Sequence, residues 1–547
     1  MTSTKCFIIK GIASLLALLL GLMAVGGCAA GPEEVDLSQT ELPVASELPI
    51  PESGETTVAG ETLRLAYVAY LGTLHPLADL NEDIANIFSL IFEPAIKVTA
   101  DGRFSASVIE SWNIEENGTR FVFNVRKGVV AHDGSQITAD DIVFTANAIR
   151  GLSASVCPYA RYAGNITGVT KTGDYQVTVT LSAPTNDIYY FMSFPVIPMS
   201  YYQSEDLTST KTPVGTGAYR VESYSQQDGF QLTANEEWWR QQPAYGTVTA
   251  IPAESEEQKA ELFTAGEVDA FASSLDTINS YSAEKDTNVH GIVTPEYVTL
   301  IPNFRNSALR EQSVRKAISL AIDRSDVLTN SVAGEGLATE TPLRPDLWYF
   351  SDDKDIINGY NLNRAMTLLE EAGYTQNEET GIREKDGQPL SLDIIYTEAS
   401  DLHYRSAIVG TLRKQLEDAG IELNVVELEQ EEYQTAMATG DFDLALAVYY
   451  TNTNNDIRYI FEDSANYGNF DAAELLSLAD AAKSAVTEED LQTAYSALSS
   501  YLVEQLPHIG LFFREHALVT RSDIQVSQRL RFKQVYADVC EWQKDGA

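Results

Sequence analysis

Residues 87–150 constrain the fold more than any other part of the chain, because they specify several short elements in immediate succession. An apolar run ends just before Pro94. The residue that precedes a proline is pushed out of the helical region, so this spacing predicts a helix that stops there. The alternation of side chains over 121–126 predicts a strand, and Thr138 predicts the capped start of another helix. The segment therefore indicates a mixed α/β fold.

The same segment carries motifs in a fixed order. They are Phe92-Glu93-Pro94, Asp101-Gly102, Glu110-Ser111-Trp112, Arg126-Lys127-Gly128, His132-Asp133-Gly134 and the run from Thr138 to Thr145. In this order they resemble the signature of the extracytoplasmic solute-binding proteins of the peptide/nickel-type ABC importer family. Many positions carry the resemblance together, which makes it more specific than any lone short motif.

Later parts of the chain extend the resemblance. The run from Pro213 to Arg220 is similar to the family's PVGTGPY motif, with Ala218 in place of proline. We interpret its glycines as serving a tight turn rather than a phosphate cradle. The run from Val314 to Arg324 is similar to the family's VRQALSLAIDR helix, and its apolar spacing predicts a core helix. The resemblance covers roughly Glu61 to the mid-520s.

The resemblance implies a two-lobed α/β fold, periplasmic-binding-protein-like of type II, cluster C, with an extra subdomain in the first lobe at about 95–205. The expected boundaries are lobe I at 61–304, lobe II at 305–508 and a return to lobe I at 509–547, with crossovers near Asn303 and near 507–510. Within lobe II, the pattern over 392–428 predicts a strand, a helix and a second strand, and therefore a parallel pair.

The first 27 residues predict a secretory signal peptide. Lys5 and Lys10 precede an apolar run, and small residues lead to Cys28, as in a bacterial lipoprotein box. We expect Cys28 to be lipidated and to anchor the chain to the cell membrane, facing the extracellular side or the periplasm. The alternative is an uncleaved membrane anchor. Residues 28–60 are acidic, contain prolines and lack Lys and Arg, which predicts an extended tether.

The chain has a formal net charge of −42, which argues against nucleic acid as a partner. Cys157 and Cys540 lie far apart in sequence, and we expect no disulfide between them. We expect a monomer.

No catalytic motif, phosphate loop or Cys-x-x-Cys pair occurs in the sequence, so we expect a protein that is not an enzyme and needs no cofactor. His508 and His516 flank an apolar segment without a cluster of metal ligands, and we expect no metal site there.

The candidate ligand site in lobe II follows the apolar strand 444–448. Ligands in open α/β sheets bind beyond the carboxyl ends of strands. The residues predicted there are Tyr449, Tyr450, Thr451, Asn452 and Asp456. In peptide-binding members of the family a tryptophan and an ammonium-pairing aspartate occupy this loop. By the motif, these positions fall near Tyr449 and Asn452. Asn452 is neutral, and Asp456 is the alternative partner for an ammonium.

In lobe I, Tyr70, Leu71 and Gly72 follow the first predicted strand and are expected to face the cleft. An extended peptide could add there as a strand, with its main chain supplying the hydrogen bonds. The alternatives are an ordinary aromatic core for the two lobe II tyrosines and a plain connecting loop for these three residues.

These predictions, taken with the resemblance, imply the substrate-binding lipoprotein of an ABC importer. Such a protein would capture oligopeptides by hinge closure and deliver them to a membrane permease driven by ATPase subunits. Two alternatives stay open. The same fold could bind a nickel chelate, haem, a glycoside or another non-peptide solute, or the protein could be a sensor without transport.

Overall fold

The computed structural model describes residues 61–70, 72–274, 281, 284, 286–350, 359–398, 404–526 and 529–544. The predicted signal peptide, the tether and Cys28 lie outside the described residues. None of the described helices combines the length and the apolar character that crossing a bilayer requires.

The strands described are, in chain order, β1 (Thr62–Val68), β2 (Ile96–Val98), β3 (Phe104–Ala106), β4 (Ile109–Glu115), β5 (Arg120–Val125), β6 (Ile166–Gly173), β7 (Gln176–Leu181), β8 (Tyr219–Ser225), β9 (Gly229–Ala234), β10 (Thr247–Ala253), β11 (Ala270–Ser273), β12 (Thr287–Pro302), β13 (Gly336–Ala338), β14 (Thr375–Gln376), β15 (Arg383–Lys385), β16 (Gln388–Pro389), β17 (Ser391–Tyr396), β18 (Glu422–Glu427), β19 (Leu444–Tyr450), β20 (Ile509–Arg521), β21 (Ile524–Gln525) and β22 (Gln543–Lys544).

The helices described are α1 (Glu82–Ile91), α2 (Ala139–Arg150), α3 (Asp187–Phe191), α4 (Met199–Tyr202), α5 (Glu256–Thr264), α6 (Ser307–Arg310), α7 (Gln312–Ala321), α8 (Arg324–Val332), α9 (Leu362–Glu371), α10 (Tyr404–Asp418), α11 (Gln430–Thr439), α12 (Arg458–Phe461), α13 (Ala473–Ser484) and α14 (Glu488–Gln505).

One sheet runs through both lobes in the order β18-β17-β19-β12-β20-β11-β1-β10-β9-β8, with β13 also paired to β20. The long strands β12 and β20 are antiparallel and lie at its centre. A separate sheet, β4-β5-β7-β6, forms in the region predicted as the inserted subdomain.

The two long strands pass from one hydrophobic core to another. In β12, Ile292 belongs to the core that surrounds β1, whereas Val298 belongs to the core of lobe II. In β20 the same change occurs between Phe512 and Leu518. The β12–β20 ladder is irregular between Val293 and Tyr297, within the stretch where the cores change. The predicted lobe boundaries at 304/305 and 508/509 stay predictions, and both lie at the lobe II ends of these strands.

Several local predictions are confirmed. Thr138 caps α2, and the Asp141 carboxylate accepts from the Thr138 N–H at 2.8 Å, which completes a capping box. Strands β17 and β18 are parallel on either side of α10 in sequence. The lobe II strand predicted at 444–448 extends further, because β12 supplies pairing partners as far as Tyr450.

Residues of the family-like motifs form hydrogen bonds with one another. The His132 Nδ1 accepts from the Gly215 N–H at 3.2 Å, and its Nε2 donates to the Gly217 carbonyl at 3.0 Å. Burial lowers the pKa of His132 to about 4, so the ring is neutral at pH 7. The Trp239 indole N–H donates to the buried Glu93 carboxylate at 2.7 Å. Residues that are far apart in sequence therefore hold lobe I together at the end of α1.

Candidate ligand-binding site

Tyr449 and Tyr450 end β19, opposite Tyr297 and Glu296 of β12. Successive side chains of a strand point to opposite faces, so the two tyrosines have different environments. Tyr449 stacks on His508, with ring centroids 5.6 Å apart, and is largely buried. The side chain of Tyr450 is 70% exposed. A large aromatic side chain that stays exposed at the end of a buried strand is available to a ligand.

Thr451 and Asn452 differ in role. The backbone N–H and the hydroxyl of Thr451 both donate to the Pro295 carbonyl, at 2.8 and 3.0 Å, which ties the loop to β12. Asn452 accepts a hydrogen bond from the Arg161 guanidinium at 3.1 Å through Oδ1. The polar face of Asn452 is therefore turned toward the inserted region of lobe I.

Asp456 is held by cations of the chain itself. Arg458 donates to both of its carboxylate oxygens, at 2.8 and 2.7 Å, and Lys483 donates at 2.9 Å. Burial opposes the ionisation of Asp456, but the hydrogen bonds from Arg458 and Lys483 outweigh it and lower its pKa to about 2. This carboxylate is ionised and already balanced without a ligand ammonium.

The loop 451–456 packs against the inserted region. The Tyr162 and Thr453 hydroxyls lie 2.5 Å apart, and the Asn454 amide donates to Asp187 at 2.7 Å. Lys483 also pairs with Asp187 at 3.1 Å. A cavity of only about 10 Å³ remains at this contact. The loop 451–456 and the inserted region of lobe I are therefore in direct contact next to the exposed Tyr450.

The lobe I candidates lie at the carboxyl end of β1. Leu71 lies outside the described residues. Tyr70 folds back, and its hydroxyl occupies the space that a Cβ on Gly72 would need. No hydrogen bond, ion pair or ring contact in the described part of the chain joins Tyr70 or Gly72 to the loop 450–456. The ligand roles of Tyr70, Leu71 and Gly72 stay predictions.

Sequence reasoning missed the partners of the loop: Arg161, Tyr162, Asp187 and Lys483. Arg161, Tyr162 and Asp187 precede the loop by more than 260 positions, and none belongs to a recognisable motif. Only the folded structure shows that they meet it.

Comparison with known proteins identifies the family. The model of bacterial extracellular solute-binding proteins, family 5, matches residues 103–470. The oligopeptide-binding protein AppA of Bacillus subtilis is 24% identical over 500 residues, which is 87% of this chain and 89% of AppA. The nickel-binding periplasmic protein of Escherichia coli is 22% identical over 397 residues, which is 71% of this chain and 75% of that protein.

Solved structures share the fold. The structure of B. subtilis AppA in complex with a nonapeptide has a TM-score of 0.57 at 21% identity and covers 89% of this chain and 99% of AppA. The structure of NikA from Brucella suis in complex with Fe(III)-EDTA has a TM-score of 0.67 at 19% identity and covers 88% of this chain and all of that one.

These structures confirm the predicted two-lobed periplasmic-binding fold, and the relatives are extracytoplasmic binding proteins. The match of the family model spans both lobes and most of the folded chain. This chain therefore belongs to the bacterial extracellular solute-binding proteins of family 5.

Proposed function

We propose that this protein is the substrate-binding lipoprotein of an ABC importer, which captures oligopeptides between its lobes and delivers them to a permease. The observation that carries the proposal is the similarity to an oligopeptide-binding protein over almost the whole of both chains. The exposed Tyr450, beside a loop rich in amide and hydroxyl groups, supports it. Such a surface suits an extended peptide, whose main chain needs both donors and acceptors.

The proposed mechanism is hinge closure at the middle of β12 and β20. Both strands change core there, and the ladder between them is irregular at Val293 and Tyr297. Bending at this point would separate the loop 451–456 from the inserted region and admit a solute. The contacts from Arg161 and Asp187 would then form again on closure.

The loop argues against recognition through a ligand ammonium. The position of the family's aspartate holds the neutral Asn452, and Asp456 is balanced by Arg458 and Lys483. We therefore propose that Tyr450 and Asn452 contact the solute as an apolar surface and an amide, not as a counter-charge.

A non-peptide solute is the second candidate, because relatives of this chain include a nickel-binding protein and a haem-binding protein. Native mass spectrometry of the full chain, purified in mild detergent, separates the two. Co-purified peptides of a narrow length range would support peptide import, and a single non-peptide mass would refute it. A sensor role predicts instead that the protein binds its ligand without an associated permease.

Replacing Tyr450 with alanine is expected to weaken binding of the co-purified ligand about tenfold, since a central aromatic contact is lost. Tyr360→Ala is the matched control, because that tyrosine is also exposed, at 52%, but lies outside the candidate site. Isothermal titration calorimetry measures both variants. Equal ligand affinities for the two variants would show that Tyr450 does not contact the ligand.

Replacing Cys28 with serine is expected to move the protein from the membrane fraction to the culture medium, because the acylated thiol is lost. Cys6→Ser changes the cysteine inside the predicted signal peptide and should leave anchoring intact. Fractionation followed by immunoblotting measures the distribution. Retention of Cys28→Ser in the membrane would indicate an uncleaved leader instead.

A further inference from the structure

Arg531, in the segment that follows β21, pairs with no carboxylate of the described residues. Its Nη1 donates to the Gln534 amide oxygen at 2.8 Å, and no carboxylate of the described residues lies within ion-pairing distance. The ionisable groups close enough to act on it are the guanidinium of Arg344 and the hydroxyls of Tyr159, Tyr162 and Tyr190, which are uncharged at neutral pH. Arg344 adds repulsion, although it is itself paired with Asp346 at 2.8 Å.

Arg531 has fewer partners than Arg315, which also lacks an ion pair within the described part of the chain but donates to the carbonyls of Leu309, Arg310 and Gln505. Burial lowers the pKa of Arg531, which shows that the surroundings disfavour its charge. Buried charges in proteins are normally paired. Lys259, for example, is 1% exposed and lies 3.0 Å from Asp83. In a chain of net charge −42, the lack of a described acid beside Arg531 is a local feature and does not reflect composition.

The hydroxyls of Tyr159 and Tyr190 are close enough to influence the ionisation of Arg531. Neither forms a hydrogen bond to the described part of the chain. Burial raises the pKa of both hydroxyls, so they stay protonated at neutral pH and are able to donate.

The same residues adjoin the candidate site. The Tyr190 ring lies 5.6 Å from the Tyr162 ring, whose hydroxyl contacts Thr453 in the loop. Arg531 also lines a cavity of about 50 Å³ together with Lys97, Gln534 and Trp542. The carboxylate in that lining, Asp538, is paired with Lys97 at 2.6 Å. The side chains that line this cavity therefore include three cations, those of Lys97, Arg529 and Arg531, and one carboxylate.

We propose that Arg531, together with the hydroxyls of Tyr159 and Tyr190, binds a carboxylate of the transported solute. A guanidinium matches the two oxygens of a carboxylate in a bidentate arrangement. The inference rests on the proposed function and narrows it: the solute enters with its carboxylate toward the C-terminal segment. For a peptide, this group is a free C-terminus.

The test uses the full chain in mild detergent and a random-sequence pentapeptide library, with free or amidated C-termini. Calorimetry should show that the free-acid library binds roughly 30-fold or more tightly than the amidated one, the loss expected for a buried charge without its partner. Arg531→Gln should abolish this preference, and Arg531→Lys should restore part of it. Arg364→Gln, on the exposed surface of α9, should keep the preference in full.

If the two libraries bind the natural protein equally, the inference about the carboxylate is wrong, although the proposal of peptide binding still holds. This outcome needs no variant.

If neither library binds, the proposal of peptide binding is wrong. Small aromatic and dicarboxylic acids and their methyl esters then serve as probes. Binding of the acids that Arg531→Gln removes would support the inference, and no binding would overturn it. Competition by inorganic phosphate that depends on Arg531 would overturn the assignment to a carboxylate.

Discussion

Replacing Lys259 with methionine is expected to lower the free energy of unfolding by about 3–5 kcal/mol at neutral pH. The Lys259 ammonium is 1% exposed and donates to the Asp83 carboxylate at 3.0 and 3.1 Å and to the Ala272 carbonyl at 2.7 Å. It also pairs with Glu256 at 2.7 Å. Methionine fills the space of the stem but leaves the buried Asp83 carboxylate without its counter-charge.

The loss should depend on pH. Burial raises the pKa of Asp83, and Lys259 opposes that rise, so the pKa rises further when Lys259 is removed. A carboxyl whose pKa is raised by folding stabilises the folded state most when it is protonated. The deficit of the variant should therefore shrink as the pH falls from about 8 to about 5. Urea unfolding at several pH values measures it.

Lys171→Met is the matched control. Lys171 also contacts two carboxylates, those of Asp140 and Asp174, but its side chain is 36% exposed. Water and salt screen such surface pairs, so we expect little change in stability. Equal losses for the two variants, or a Lys259→Met deficit that does not depend on pH, would contradict the role given to Asp83.

Replacing Gly217 with alanine is expected to destabilise lobe I by about 3 kcal/mol. A Cβ at this position would lie 2.5 Å from the Leu90 carbonyl oxygen and 2.6 Å from the Ile91 carbonyl carbon, both of which are backbone atoms at the end of α1. Backbone cannot swing aside as a flexible side chain can, so the helix end or the turn must shift. The Gly217 carbonyl would also move away from His132.

Gly410→Ala is the control with the opposite expected sign. Gly410 lies within α10, and a Cβ there meets nothing within 4 Å. Alanine favours a helix over glycine by about 0.5–1 kcal/mol, so this variant should be slightly more stable. Thermal unfolding measures both variants. A Gly217→Ala variant as stable as the natural protein would show that the glycine is not required by packing.

The contacts of the motif residues explain why the motifs identify the fold rather than the ligand. His132, Glu93 and Gly217 join the ends of distant segments within lobe I, and no described contact joins them to the loop that follows β19. Residues that hold a shared architecture together are needed whichever solute is bound. The choice of ligand depends on side chains elsewhere.

Periodicity and turn chemistry alone predicted much of the scaffold. The buried face of α7, the cap of α2 at Thr138 and the parallel pair of β17 and β18 follow from local patterns. The helix predicted over 314–324 was wrong at its end: α7 stops at Ala321, Ile322 is extended, and Asp323 caps the separate helix α8. The loop after the apolar strand at 444 was also located from sequence, because the carboxyl end of a buried strand is where open sheets bind ligands. The sequence did not predict that this strand extends to Tyr450, because the extension depends on pairing with β12.

Local patterns were enough to predict several of the helices and strands, the family resemblance and the position of the candidate loop, because these depend on neighbours in the chain. The tertiary structure decided which polar groups in that loop remain available. Asp456 is balanced by Arg458 and Lys483, Asn452 meets Arg161, and Arg531 has no acid among the described residues as its partner. Whether a charge is satisfied depends on groups that are brought close in space from distant parts of the chain, and no local pattern encodes those distances.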